Sequence, residues 1–143
     1  MTTIGVLGYG YWGPNLVRNF KNIGCNVKRV VDLNKNRLQV INVLYENILA
    51  SCNAEDIFND KEINAVVIAL PVALHYKMAK RALESGKHVL VEKPMTDNSD
   101  HAKELIALAK KRELILMVDH TFLYTGAIQK IKTLIEMGEL GRL

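Results

Sequence analysis

Cysteine is scarce in this sequence, which contains only Cys25 and Cys52. The two thiols form no C-x-x-C pair, and neither has a spacing typical of metal ligands. Two isolated thiols exclude a fold held together by disulfides and fit a reducing compartment. We therefore expect neither a disulfide framework nor a metal site.

Long hydrophobic runs are also lacking. The longest one, residues 65–74, is interrupted by Pro71 and is too short to span a bilayer. The first residues lead directly into a strand-like run, without the basic segment and cleavage-site pattern of an export signal. These absences predict a cytoplasmic protein without a membrane partner.

Dense blocks of charge of one sign are absent as well. The net charge is +4, but the lysines and arginines are spread through the predicted helices. Because a basic stripe and aromatic platforms are both missing, nucleic acid is excluded as the partner. The hydrophobic content of 49% and the length of 143 residues are typical of one globular domain covering residues 1–143.

The most informative segment is a glycine-rich stretch between an apolar run and a helical pattern that Pro14 begins. This context is typical of a dinucleotide-binding turn, in which the first glycine permits the bend, the second lets the pyrophosphate approach and the third allows close packing. The start of the helix adds free N–H groups and a positive dipole end. We predict that the pyrophosphate part of a cofactor site consists of Gly8, Tyr9, Gly10, Tyr11, Trp12 and Gly13. The Trp12 ring either shields the pyrophosphate or packs on the helix.

An acidic residue, Asp32, ends the second apolar run about 20 residues after Gly13, as the dinucleotide fingerprint requires. A carboxylate at this position can accept hydrogen bonds from the adenosine ribose and repels a 2′-phosphate. The sequence therefore predicts NAD as the cofactor. Lys35 and Arg37 follow closely and could still accept a phosphate, and we assign Arg37 to the cofactor site.

Strand-like and helix-like segments alternate along the whole chain. This alternation predicts an α/β fold with a doubly wound parallel sheet of the Rossmann type. Predicted strands cover residues 4–7, 27–32, 48–50, 65–70, 87–91 and 114–118. Predicted helical segments cover residues 14–23, 35–47, 54–58, 72–85, a stretch from a cap at 97–99 to Arg112, and 126–137. The last helix is expected to point its apolar residues inward, namely Ile128, Ile131, Leu134 and Ile135.

Ligands of such sheets bind beyond the carboxyl ends of the strands. The polar strand ends are Glu92-Lys93-Pro94 and Asp119-His120-Thr121, and Leu70-Pro71 ends the strand between them and the glycine turn. We expect the nicotinamide near these segments.

Lys93 is the strongest catalytic candidate, because a lysine there can hold a substrate hydroxyl or act as a base if burial lowers its pKa. The alternative is a surface lysine paired with Glu92. We also expect a cis bond before Pro94. His120 is either a second catalytic residue or a residue at the edge of the core. His75 either contacts the cofactor or hydrogen-bonds the neighbouring loop.

Four motifs in this order resemble the glucose–fructose oxidoreductase/inositol dehydrogenase (Gfo/Idh/MocA) family. They lie at residues 8–15, 69–75, 86–94 and 120–124. The first is most similar to that of the nucleotide-sugar 3-dehydrogenases, which act on UDP-N-acetylglucosamine or its uronic acid. The chain departs from the pattern in two places: Leu70 replaces a threonine that is usual in the family, and Thr125-Gly126 replaces the Asn-Pro of many sugar-nucleotide members.

The resemblance implies NAD(P)-dependent oxidation or reduction of a sugar or cyclitol hydroxyl. Lys93 matches the lysine that handles the proton in the family, and Asp32 matches the ribose ligand. In addition to Asp32, Arg37, His75 and the glycine-rich turn, the expected cofactor residues include Leu70, Pro71, Glu92 and Lys93.

The last residues, 138–143, look like the point at which family members enter a second α/β domain. That domain normally supplies the substrate wall, a further histidine and the oligomer interface, so the resemblance also allows a homo-oligomer. We expect this chain to be the cofactor half of an oxidoreductase, without the substrate domain and with little turnover alone. The alternative is a stand-alone domain that senses NAD without catalysing a reaction.

Overall fold

Short apolar segments rich in valine and isoleucine form the strands in a computed structural model that describes residues 1–142. All pair in parallel within one six-stranded sheet. The strands are β1 (Thr3–Leu7), β2 (Asn26–Val31), β3 (Leu49–Ser51), β4 (Ala65–Ile68), β5 (His88–Glu92) and β6 (Leu116–Asp119). The predicted α/β architecture is confirmed.

The strand order is β3-β2-β1-β4-β5-β6, the order of the Rossmann fold. The chain builds one half of the sheet outward from β1 and then returns to add β4 on its other side. The order therefore reverses between β1 and β4, and a crevice opens at the carboxyl ends of these two strands. The glycine-rich turn follows β1 directly and lies at this point.

Helices cover both faces of the sheet. They are α1 (Gly13–Asn22), α2 (Lys35–Leu44), α3 (Glu55–Phe58), α4 (His75–Glu84), α5 (Ser99–Lys111) and α6 (Gly126–Glu136). Two of them begin at an asparagine whose side chain caps the first turn: Asn34 accepts from the N–H of Asn36, and Asn98 accepts from that of Asp100. Such caps satisfy amides that have no partner within the helix.

The core consists of two layers, one on each face of the sheet. Alternate residues of a strand join opposite layers, as Val66 and Val67 of β4 show. The first layer packs under α3, α4 and α5, and the second packs under α1 and α2. Burial on both faces explains why β4 is continuously apolar.

Two predicted helix boundaries were wrong. The helix expected over residues 35–47 ends at Leu44, because Tyr45 has an extended backbone and packs its ring against the core instead. The helix expected over residues 72–85 begins with a 3-10 turn, Val72–Leu74, and becomes α-helical only at His75.

The inward orientation predicted for the last helix was also wrong. No residue of α6 is buried, and Ile131 keeps 46% of its surface exposed. The 3-10 turn before it, Thr121–Tyr124, is equally exposed. Helical periodicity identifies an apolar face correctly, but within residues 1–142 little of the chain packs against this one. Ile106 of α5 is exposed as well.

Within residues 1–142, no helix combines the length and the apolar character needed to cross a membrane.

Candidate functional site

The turn after β1 is shaped by two glycines that no other residue could replace without displacing backbone. Gly8 has a φ of +95°, and a Cβ there would lie 2.3 Å from the carbonyl oxygen of Ala69. A Cβ on Gly13 would lie 2.3 Å from the carbonyl oxygen of Gly8. The start of α1 is thereby pressed against the end of β1, which leaves a backbone cradle at the carboxyl edge of the sheet.

The first turn of α1 is suited to an anion. Trp12 occupies the N-cap position without a capping hydrogen bond from its side chain, and Pro14 follows within the first turn. No acidic residue lies in this turn to offset the positive end of the helix dipole. The amides and the dipole of this turn suit an anion such as a phosphate group.

Asp32 lies immediately after β2 and is 8% exposed. Its carboxylate accepts hydrogen bonds from the backbone N–H groups of Tyr9 and Asn34, each at 2.7 Å, and Arg37 Nη1 lies 3.2 Å from Oδ2. Burial alone would raise the pKa of Asp32, but these hydrogen bonds and the Arg37 charge outweigh it and lower the pKa. The residue is therefore an anion at neutral pH and also fixes the glycine-rich turn.

One cleft of about 340 Å³ joins these features to the ends of β4 and β5. Of the cofactor residues predicted from the sequence, all except Tyr9, Gly13 and His75 line it. The lining consists of Gly8, Gly10, Tyr11, Trp12, Asp32, Arg37, Ala69, Leu70, Pro71, Glu92 and Lys93. Ala69 is the one lining residue that was not predicted. Its carbonyl oxygen lies against Gly8, where β1 and β4 end side by side. Trp12 is 42% exposed and meets Tyr11 edge to face, so its ring borders the cleft rather than packing within the core.

The ring of Tyr9 lies in the core beneath the turn. Burial, followed by the neighbouring Tyr45, raises the pKa of its hydroxyl. Tyr9 thus contributes to the site through its main chain, whose N–H binds Asp32.

His75 is 1% exposed and ties two loops together below the cleft. Its Nδ1 lies 2.8 Å from the carbonyl oxygen of Pro94, and its Nε2 lies 2.7 Å from that of Leu70. The ring therefore holds the segments after β4 and β5 in fixed positions. Of the two interpretations of this histidine, the geometry matches the contact with neighbouring loops.

Glu92 is a buried carboxyl group at the end of the cleft formed by β5. It ends β5 and pairs in register with Asp119, which ends β6. Burial, followed by the Asp119 charge, raises the pKa of Glu92, against a smaller opposing effect of Lys93. In the sequence, Asp119 is distinguished only as part of a polar strand end, and the pairing register of β5 and β6 brings the two acids together.

Lys93 lies between two hollows. It lines the cleft described above and also a second hollow of about 360 Å³, which His120 shares. The rest of that hollow is largely apolar and comes from Thr121, Phe122, Leu123 and Ile128. Both predicted catalytic residues therefore border one space beside the cleft. The Lys93–Pro94 peptide bond is cis, as predicted.

A larger hollow, about 500 Å³, lies on the opposite side of the sheet, at the amino ends of β4 and β5. Its buried lysine, Lys87, donates to the carbonyl oxygens of Asp60 and Ile63 at 2.7 and 2.8 Å. These contacts are internal to the fold, whereas the cleft at the carboxyl edge combines a glycine cradle with free polar groups. We therefore take the smaller cleft as the functional one.

A parallel sheet of this order, a glycine cradle at its reversal point and an acidic residue after β2 define a dinucleotide-binding domain of the Rossmann type. Residues 2–120 match the sequence profile of the Gfo/Idh/MocA family, described as an oxidoreductase family with an NAD-binding Rossmann fold. The chain belongs to this family, which confirms the resemblance drawn from its motifs.

One relative is a dTDP-3,4-didehydro-2,6-dideoxy-alpha-D-glucose 3-reductase of Streptomyces violaceoruber. It is 40% identical over 81 residues, which are 57% of this chain and 24% of the reductase. The chain spans between 24% and 40% of the length of other curated relatives that it matches.

Two solved structures illustrate the range of cofactors in similar folds. KijD10, a 3-ketoreductase from Actinomadura kijaniata, was crystallised as a Y186F mutant with TDP-benzene and NADP. It has a TM-score of 0.85 at 25% identity, over 96% of this chain and 42% of that one. The scyllo-inositol dehydrogenase of Lactobacillus casei, with bound NAD(H) and scyllo-inositol, has a TM-score of 0.89 at 19% identity, over 99% and 42%. The second likeness concerns the fold alone.

Proposed function

We propose that this chain binds NAD(H) and serves as the cofactor domain of an oxidoreductase acting on a hydroxyl of a sugar or nucleotide sugar. The observation that carries this proposal is the continuous cleft from the glycine cradle and Asp32 to Glu92 and Lys93. The pyrophosphate fits the amides of the turn and of α1, and a ribose fits the end of β2. The nicotinamide then reaches the ends of β4 and β5.

NAD is favoured over NADP because Asp32 is buried and anionic where a 2′-phosphate would approach. Arg37 acts in the opposite direction, since its exposed guanidinium borders the same cleft. Its ion pair with Asp32 uses part of its charge, so we expect a preference for NAD rather than an exclusion of NADP. The KijD10 structure shows that NADP is bound by a related enzyme.

The catalytic part of the proposal concerns Lys93 and His120. The nicotinamide, when bound, supplies the hydride acceptor or donor. Lys93 is exposed and faces both the cleft and the adjoining hollow. Its ammonium group can therefore hold a substrate hydroxyl and take part in moving its proton, with His120 on the far side of the same hollow. The buried His75 contributes by fixing the loops that carry Leu70 and Pro94.

The substrate surface needs more than these residues supply. The hollow beside Lys93 is open and bounded by Phe122 and Leu123, which are largely exposed. Relatives of this chain are considerably longer than the part that it matches. We propose that a second domain packs on this apolar surface in a complete enzyme and closes the substrate site.

Calorimetric titration with NAD⁺, NADH and NADPH tests the cofactor assignment. We expect binding of both NAD forms and weaker binding of NADPH than of NADH. Lys93→Ala should leave these affinities nearly unchanged, because the lysine borders the nicotinamide end without contributing to the phosphate cradle. Tighter binding of NADPH than of NADH would contradict the proposed preference.

A sensing domain without catalysis is the alternative. Adding a separately expressed second domain of a relative, together with sugar and nucleotide-sugar substrates, distinguishes the two functions. Formation of NADH that is lost in Lys93→Ala supports the enzyme. Unchanged NAD binding, without NADH formation with every domain and substrate tried, supports the sensor.

A further inference from the structure

The ends of β5 and β6 bring two carboxyl groups together at the edge of the cofactor cleft. Glu92 and Asp119 are register partners on neighbouring parallel strands, so their side chains emerge on the same face of the sheet. Because neighbouring strands of a sheet lie about 5 Å apart, the two carboxyl groups lie close together, and the Asp119 charge adds to burial in raising the pKa of Glu92. Two carboxylates this close repel each other unless a proton lies between them.

The surroundings of the pair favour one retained proton. Glu92 is 8% exposed, so the loss of hydration disfavours its charged form. The charged groups acting on it are Asp119 on β6 and Lys93 beside it, and Lys93 is exposed to solvent. The first turn of α1 carries no acidic residue, and neither the glycine-rich turn nor the end of β4 carries a charge.

The pair borders the cleft at the end away from Asp32. Glu92 lines the cleft itself, and Asp119 lines an adjoining hollow of about 270 Å³. Trp12 lines both spaces, so the cleft and the hollow adjoin at its side chain. If the adenosine ribose lies at Asp32, the nicotinamide end of the dinucleotide comes closest to Glu92.

We propose that Glu92 and Asp119 share a single proton, and that the oxidised dinucleotide expels it on binding whereas the reduced dinucleotide does not. The inference rests on the proposed function. The oxidised nicotinamide ring carries a positive charge and the reduced ring is neutral. A positive charge beside the pair stabilises the second carboxylate, so the proton leaves to solvent. Bond formation to the substrate is not involved, and the only exchange is of one proton with water.

Calorimetry in buffers of different ionisation enthalpy measures the released protons directly. Above the ordinary glutamate pKa, we expect a pH window in which NAD⁺ binding releases about one proton and NADH binding releases essentially none. Across the same window, the affinity for NAD⁺ should rise by about tenfold for each pH unit, while that for NADH stays nearly constant. Glu92→Gln should abolish the release, and the exposed Glu84→Gln serves as the matched control.

Each outcome decides a different point. Equal proton release with both dinucleotides, or none with either although both bind, overturns the inference and leaves the proposed function standing. Absence of binding heat with both overturns the proposed function and the inference with it. Carbon-13 NMR of the carboxyl groups in the free chain gives an independent test. A shared proton requires two coupled titration steps at Glu92 and Asp119, whereas two independent single steps would contradict it.

Discussion

Charged groups are buried in different ways on the side of the sheet where the strands begin, the amino edge, and on the side where they end, the carboxyl edge. At the amino edge, Lys87 is 4% exposed, and its ammonium group donates to two main-chain carbonyls of the loop before β4. At the carboxyl edge, Glu92 is as buried as Asp32, but it faces another acid instead of a set of donors. A buried charge with internal partners destabilises the fold when one of the partners is removed, whereas a buried acid that faces a like charge changes its protonation readily when a charged ligand approaches.

Asp32 combines features of Lys87 and Glu92. Main-chain amides and Arg37 stabilise its carboxylate, as carbonyls stabilise Lys87, yet it also lines the cleft. One residue therefore supports both the turn and the proposed ribose contact. The four predictions that follow contrast the two edges, beginning with the largest expected effect.

Glycines with positive φ occur at both edges, and their replacement by alanine should give the largest difference in stability between the two edges. A methyl group on Gly8 overlaps the carbonyl of Ala69, whereas nothing lies within 4 Å of the corresponding position on Gly86. Gly8→Ala should lower the free energy of unfolding by about 3 kcal/mol or more, because rigid backbone must move. Gly86→Ala should cost only about 1 kcal/mol, from its left-handed backbone. Urea unfolding measures both, and equal losses would contradict the steric explanation.

Removing the buried amine at the amino edge should destabilise the fold without affecting the cofactor. Lys87→Met keeps most of the aliphatic stem but removes the donor to the carbonyls of Asp60 and Ile63, and only the Asp60 carbonyl then keeps a backbone donor, the N–H of Ile63. We expect a loss of about 2 kcal/mol in the free energy of unfolding. NAD affinity should be unchanged at a temperature where the variant is folded. The exposed Lys61→Met is the control and should change stability by less than about 0.5 kcal/mol.

Replacing one aspartate by asparagine at each edge tests whether cofactor binding depends on the carboxyl edge alone. Asp32→Asn should weaken NAD⁺ binding by about tenfold and narrow the preference over NADP⁺, because a charge-assisted hydrogen bond and a repulsion are both lost. Asp60→Asn neutralises one of the two acidic partners of Lys28 at the amino edge, the other being Glu62, and should leave both affinities unchanged. Calorimetry measures the two variants side by side. An unchanged binding profile for Asp32→Asn would remove this residue from the site.

The smallest expected effect concerns stability against pH. The pKa of Glu92 is raised above its ordinary value near 4.5, so the folded chain binds more protons than the unfolded chain above that pH. The free energy of unfolding should therefore fall as the pH rises from about 4.5 through the raised pKa. Glu92→Gln should lack this fall, so its stability relative to the parent increases with pH. Urea titrations at several pH values measure the trend, and the same slope in Glu92→Gln would contradict it.

Much of the candidate site at the carboxyl edge could be predicted from the sequence, because the patterns that indicate it are local. The turn at residues 8–13 and Asp32 each follow an apolar run, so their positions depend on one strand alone. Pairing between Glu92 and Asp119 depends on the register of two strands separated along the chain by α5, which no local pattern specifies. The contacts of His75 likewise depend on two separate loops.

The last helix shows a different limit. The spacing of Ile128, Ile131 and Ile135 correctly predicted a helix with one apolar face, and α6 covers these residues. Periodicity reports that a face avoids water, but it does not report which part of the molecule covers it. All three residues are exposed, so the error lay in assigning that cover to the sheet.

The exposed apolar face of α6 also affects how strongly the purified chain associates with itself in solution. Isoleucines at one-turn spacing, next to the exposed Phe122 and Tyr124, form an apolar strip that water wets poorly. Strips of this kind adhere to one another as the protein is concentrated. Light scattering of the chain should therefore depend on concentration, and mild detergent should suppress that dependence while leaving the distant glycine cradle intact.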